Sequence, residues 1–83
     1  MVVTVKLFAF LATHLPATAR GNEATITVPD GATVGTIIDG LGVPLEHRHL
    51  VLLDGVYVPP EERGDRLVSE GQTIAVWPMV AGG

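Results

Sequence analysis

The residues of this chain that could do chemistry lie at its end. The final segment reads Trp77-Pro78-Met79-Val80-Ala81-Gly82-Gly83. A Gly-Gly end has no side chain and the highest backbone entropy, so it contributes nothing to a folded core. Its carboxylate is a poor electrophile. Conversion to an acyl-adenylate supplies a good leaving group, which a sulfur nucleophile can displace. Reaching such an active site requires threading a narrow channel, and only glycine leaves the backbone thin enough to pass. The five residues from Met79 span at most about 17 Å when extended. A frayed terminus carries the same signature and is the competing reading.

Other reactive side chains are sparse. The chain contains no cysteine, which excludes a disulfide scaffold, a thiolate nucleophile and a cysteine-ligated metal within it. His14, His47 and His49 supply no evident third ligand, so no metal site is expected. Thr33 and Ser69 have no visible base partner for nucleophilic work. Asp30 and Asp39 do not form an acid/base pair. Lys6, the single lysine, reads as an outward strand charge, and Tyr57 as hairpin packing. Glu61, Glu62 and Asp65, interleaved with Arg63 and Arg66, read as a solvated loop.

Composition narrows the classes further. Nine acidic residues face five basic ones, for a net charge of −4, which argues against phosphate-backbone recognition and nucleic-acid binding. The same balance suits a partner with a basic surface. An 83-residue chain has room for one small domain and little room for a deep pocket. No run approaches the ~18 apolar residues of a membrane span. The opening Met1-Val2-Val3-Thr4-Val5-Lys6 lacks the features of a signal peptide, so a cytoplasmic location is expected.

The elements that would carry the end follow from periodicity. Residues 2–10 are rich in β-branched and aromatic types and predict a strand, with Val3, Val5 and Leu7 on one face. Phe8 and Phe10 then share the opposite, outward face. Residues 11–22 read as a loop. Ala24, Ile26 and Val28 alternate in a second strand over 23–28, stopped by Pro29-Asp30-Gly31. Thr33 is a helix N-cap, followed by Val34, Ile37, Ile38 and Leu41 at i, i+3, i+4 and i+7. Gly42 suits the left-handed cap position, and Pro44 prevents continuation.

Leu50–Leu53 and Val56–Val58 predict a hairpin around Asp54-Gly55. Leu67 is the expected anchor of the turn-rich segment 59–72. Thr73–Trp77 is the last strand, with Ile74 and Val76 inward and Trp77 outward. Phe8, Phe10 and Trp77 are therefore candidate contact residues for a partner. One helix against a mixed sheet of about five strands is the layout of an α+β, β-grasp (ubiquitin-like) fold. The expected division is a domain over 1–78 and a tail over 79–83.

With these residues in place, the chain resembles the sulfur-carrier branch of ubiquitin-like proteins. It is similar to the small subunit of molybdopterin synthase (MoaD) and, more distantly, to the thiamine-pathway carrier (ThiS). The resemblance spans essentially the whole chain. It rests on Val3-Thr4-Val5-Lys6-Leu7-Phe8, Pro29-Asp30-Gly31-Ala32-Thr33-Val34, Leu41-Gly42-Val43-Pro44, Leu53-Asp54-Gly55, Leu67 to Gln72 and, most specifically, the terminal Trp77 to Gly83. It departs from the family pattern in three places. Leu11-Ala12-Thr13-His14-Leu15 lacks arginine, Met79 replaces a second proline, and Asp54 replaces asparagine in the hairpin.

The resemblance implies a non-catalytic carrier. An adenylating, ubiquitin-activating-like enzyme would use ATP to activate Gly83, and sulfur transfer would leave a thiocarboxylate there. No cofactor would be bound by the chain itself. Gly82 would permit threading, while Val80 and Ala81 line the entry of the tail, with Pro78 and Met79 at its root. The acceptor implied is the large subunit of molybdopterin synthase or another sulfur-accepting synthase, with no nucleic acid and no membrane involved. Thiamine, cysteine or another metabolite is an alternative destination. A modifier conjugated through Gly83 to lysines is a further one, and a binding module with an inert Gly-Gly end the last.

Overall fold

A computed structural model of the protein describes residues 1–79. Five strands form one sheet: β1 (Val2–Leu7), β2 (Glu23–Thr27), β3 (Leu50–Leu53), β4 (Val56–Tyr57) and β5 (Thr73–Trp77). Their order across the sheet is β2-β1-β5-β3-β4. The central pair, β1 and β5, is parallel, and the other three pairings are antiparallel. Among the described residues one α-helix, α1 (Val34–Gly40), supplies the other layer. This is the β-grasp arrangement expected from the order of elements.

Alternation decides what is buried. Val3, Val5 and Leu7 of β1 are at most 1% exposed and meet Ile74 and Val76 of β5, Val51 of β3 and Ile38 of α1 in one cluster. The helix starts where the sequence predicts. The Thr33 hydroxyl accepts from the Thr36 main-chain N–H, and the Thr36 hydroxyl accepts from the Thr33 N–H, a reciprocal cap. Gly42 lies at φ 81°, ending the helix in the left-handed region. The Asp54-Gly55 turn takes φ values of 48° and 82°, positive at both central positions, as a tight hairpin demands.

Gly35 has a different reason to be glycine. Its N–H donates to the Arg63 carbonyl at 2.8 Å, and a Cβ at this position would stand 3.1 Å from that oxygen. The helix therefore accepts the low propensity of glycine in exchange for close approach to the 58–66 segment.

Four expectations are corrected. The first strand stops at Leu7, because Ala9 turns into the left-handed region (φ 53°) and a 3₁₀ helix over Ala9–His14 carries Leu11 fully into the core. Phe8 and Phe10 are thus no longer in strand alternation. The segment 59–72 is anchored by Val68, which is 4% exposed, whereas Leu67 is 62% exposed. Backbone bonds from Val34 N to Arg66 O and from Val68 N to Ala32 O set that register, and a one-residue difference exchanges the two faces. Tyr57 lies on the exposed β4 edge rather than in packing. Arg63 is buried rather than part of a solvated face.

Candidate functional site

The root of the tail is the end of β5. The parallel register pairs Leu7 with Val76, so the next residues along each strand, Phe8 and Trp77, become neighbours. Their rings stack with centroids 4.2 Å apart and planes 2° from parallel. The backbone is fixed around them. Phe8 N donates to Val76 O at 3.1 Å, and His49 N donates to Trp77 O at 3.1 Å. Both side chains are half-buried, so each still presents a face to solvent.

Beside the pair lies a shallow depression of about 530 Å³ on the sheet face away from α1, lined among others by Lys6, Leu52, Asp54 and Ala75. Lys6 and Asp54 bracket an otherwise apolar floor. Lys6 also reaches Glu23 at 3.8 Å. The Asp54 carboxylate accepts from Thr73 N at 2.8 Å, which holds it at one end of the depression. The arrangement suits docking of a mostly apolar surface with charged margins. Among the described residues it holds no convergent nucleophile or acid/base pair. Leu52 and Ala75 were not among the expected contact residues. The β3 alternation Leu50/Leu52 against Val51/Leu53 carried the signal for Leu52.

The other expected contact residues divide. Phe10 is half exposed but separates from the stacked pair and meets the His47 ring edge-on at 5.1 Å. Pro78 is buried and packs rather than projects. Met79 is 66% exposed. Val80, Ala81, Gly82 and Gly83 lie outside the described residues, and the roles expected for them stand as sequence expectations. His47 belongs to a short 3₁₀ turn, Leu45–His47, and His49 lies just before β3. Among the described residues no group of three or more His, Asp or Glu side chains is placed to hold a metal ion. Nor, among them, is any helix long and apolar enough to cross a membrane.

Comparison with known proteins places this geometry. Residues 1–82 match the model of the Mut7-C ubiquitin family. Among solved structures, SAMP1 (small archaeal modifier protein 1) of Haloferax volcanii is 28% identical over 100% of both chains, with a TM-score of 0.69. A putative molybdopterin converting factor, subunit 1, from Pyrococcus furiosus is 25% identical, covering 95% of this chain and 98% of that one, with a TM-score of 0.68. The thiamine biosynthesis protein ThiS of Geobacter metallireducens shares the fold across 100% of both chains at 19% identity and a TM-score of 0.66. No curated protein sequence matches the chain significantly.

Proposed function

The chain belongs to the Mut7-C ubiquitin family, within the MoaD/ThiS-like ubiquitin-like proteins, and from that premise we propose that it is a sulfur carrier working through Gly83. A partner enzyme spends ATP to adenylate the Gly83 carboxyl. A sulfide-level donor such as hydrosulfide then attacks the acyl carbon, AMP leaves, and a thiocarboxylate remains. The carrier binds no cofactor and contributes no catalytic group beyond its end. The tail sequence Trp77-Pro78-Met79-Val80-Ala81-Gly82-Gly83 favours a molybdopterin-type synthase as the sulfur acceptor.

The observation that carries this reading is the stacked Phe8–Trp77 pair at the end of β5, immediately before the tail residues. A rigid aromatic anchor next to a reactive chain end gives a partner something to grip while the end enters its site. Similarity to SAMP1 along the full chain favours a second reading, in which Gly83 is conjugated to lysines of other proteins.

Mass spectrometry of the protein after incubation with a candidate activating enzyme, ATP and a sulfur source separates the two. Replacement of one oxygen by sulfur at Gly83 is expected. An isopeptide bond on a target lysine would support the modifier, and an unchanged Gly83 across competent activating partners would refute both. Trp77→Ala should weaken the complex with the activating enzyme by about 2 kcal/mol, roughly thirtyfold in Kd. Calorimetric titration reads this directly, and an unchanged Kd would remove Trp77 from the contact.

A further inference from the structure

The sheet has one edge built to accept another strand. The β1–β2 ladder is fixed by Met1 N to Val28 O at 2.7 Å, Val28 N to Met1 O at 2.8 Å and Leu7 N to Asn22 O at 2.9 Å. Antiparallel alternation then turns the main-chain groups of Ala24, Ile26 and Val28 toward β1, and those of Thr25 and Thr27 outward. Glu23 also faces outward, but its N–H and C=O are closed by Arg20, at 3.1 and 2.9 Å. Pro29 follows the strand and has no N–H to offer. The open edge is therefore Thr25 to Thr27, bounded at both ends. At the opposite edge, β4 is two residues long and soon followed by Pro59-Pro60, a common protection against pairing. β2, five residues long, carries no proline within it.

This edge is complementary to itself. In an antiparallel pairing centred on Ile26, Thr25 faces Thr27 of a second copy, and the two outward residues of each chain exchange four main-chain hydrogen bonds. Ile26 then faces Ile26 as a non-hydrogen-bonded pair, where side chains approach closely. The apolar groove between β2 and α1, about 610 Å³ and lined by Ile26, Val28, Ile37 and Leu41 among others, opens along the same edge.

Charge selects the occupant. Arg20 stands at one end of the open edge and has no ion-pair partner among the described residues. Asp30 stands at the other end, its side chain 93% exposed and ion-paired with the amino terminus at 3.3 Å. A two-fold antiparallel pairing brings each Arg20 toward the Asp30 of the other copy, twice over.

We infer that the β2 edge is a homotypic docking surface, and that its occupant is a second copy of this chain. The product is a continuous ten-stranded sheet. β5 lies two strands in from the joined edge, so both Phe8–Trp77 faces stay open and the two β5 strands end at opposite sides of the dimer. Such edge pairing buries less than the roughly 1,200–2,000 Å² of a tight complex, so the dimer is concentration dependent.

Sedimentation of the full chain from micromolar to millimolar concentration tests this. A rise from monomer to dimer mass is expected, lost in Arg20→Asp and regained in the Arg20→Asp/Asp30→Arg double variant. Because the chain has no cysteine, single cysteines report the register. Ile26→Cys should form an intermolecular disulfide at least about tenfold faster than Thr25→Cys, since a disulfide needs Cβ atoms about 3.5–4.5 Å apart. A wild-type chain that stays monomeric throughout overturns the inference even if a variant misfolds. So does equal crosslinking at both positions, and so does capture of extended apolar peptides by the monomer without dimer formation.

Discussion

One residue added after Gly83 is expected to lower thiocarboxylate formation about a hundredfold or more while leaving the melting temperature unchanged. The chemistry requires a carboxylate oxygen to reach the α-phosphorus of ATP within a near-attack distance, with pyrophosphate leaving. An added alanine turns the Gly83 carboxyl into an amide and moves the new carboxyl outward by about 3.5 Å. It also brings a Cβ to a place where the partner's channel would have to admit bare backbone. Stability should not follow, because the buried cluster of the described residues runs from Val3 to Val76. The two readouts, sulfur incorporation by mass spectrometry and a thermal melt on the same sample, therefore separate a tail effect from a folding effect. Full activity of the extended chain would show that Gly83 itself is not the residue that must react.

What the sequence made legible follows the range of each interaction. The helix start at Thr33, its apolar stripe and the Gly42 stop are set within a few residues, and each appears in place. The Asp54-Gly55 hairpin is local in the same way. Trp77 was expected outward from β5 alternation alone, and its exposed face follows. The stack with Phe8 was not legible, because it depends on the parallel β1–β5 pairing across nearly the whole chain.

Errors cluster where two similar residues compete for one place. Leu67 and Val68 are adjacent and both apolar, and backbone bonds to Ala32 and from Val34 decide between them. Phe8 and Phe10 would share a face in an unbroken strand. Burying Leu11 required the turn at Ala9, and that turn sends Phe10 to His47 instead. Membership of the MoaD/ThiS-like ubiquitin-like family was readable because the tail and the helix-start motif are contiguous in sequence. The contribution of Leu52 and Ala75 to the depression became clear only when three strands lay side by side.

Arg63 is the residue whose loss should cost the fold most among the charged positions. Charge runs are ordinarily solvated, yet its side chain is buried, at 8% exposure, behind the 58–66 segment. Nε donates to Val58 O at 3.0 Å and Nη1 to Arg48 O at 2.8 Å. Its own carbonyl accepts from Gly35 N at the helix start. One residue thus ties the segment to α1 and to the approach to β3. Burial pulls the guanidinium pKa below its ordinary value, with Tyr57 partly opposing the shift, and the group remains a cation at physiological pH.

Arg63→Ala removes both bonds, leaves two carbonyls without their donor and empties the volume of the aliphatic stem, for an expected loss of about 2–4 kcal/mol. In a domain of this size that lowers Tm by roughly 10–30 °C. Arg63→Met should cost less than alanine, because it refills the volume of the stem, while either substitution removes Nη2, which is buried without a hydrogen-bond partner among the described residues. Urea unfolding of the two variants gives the order. If alanine and methionine unfold together, packing of the stem contributes nothing. If both match the wild type, the two carbonyl bonds do not hold the segment in place.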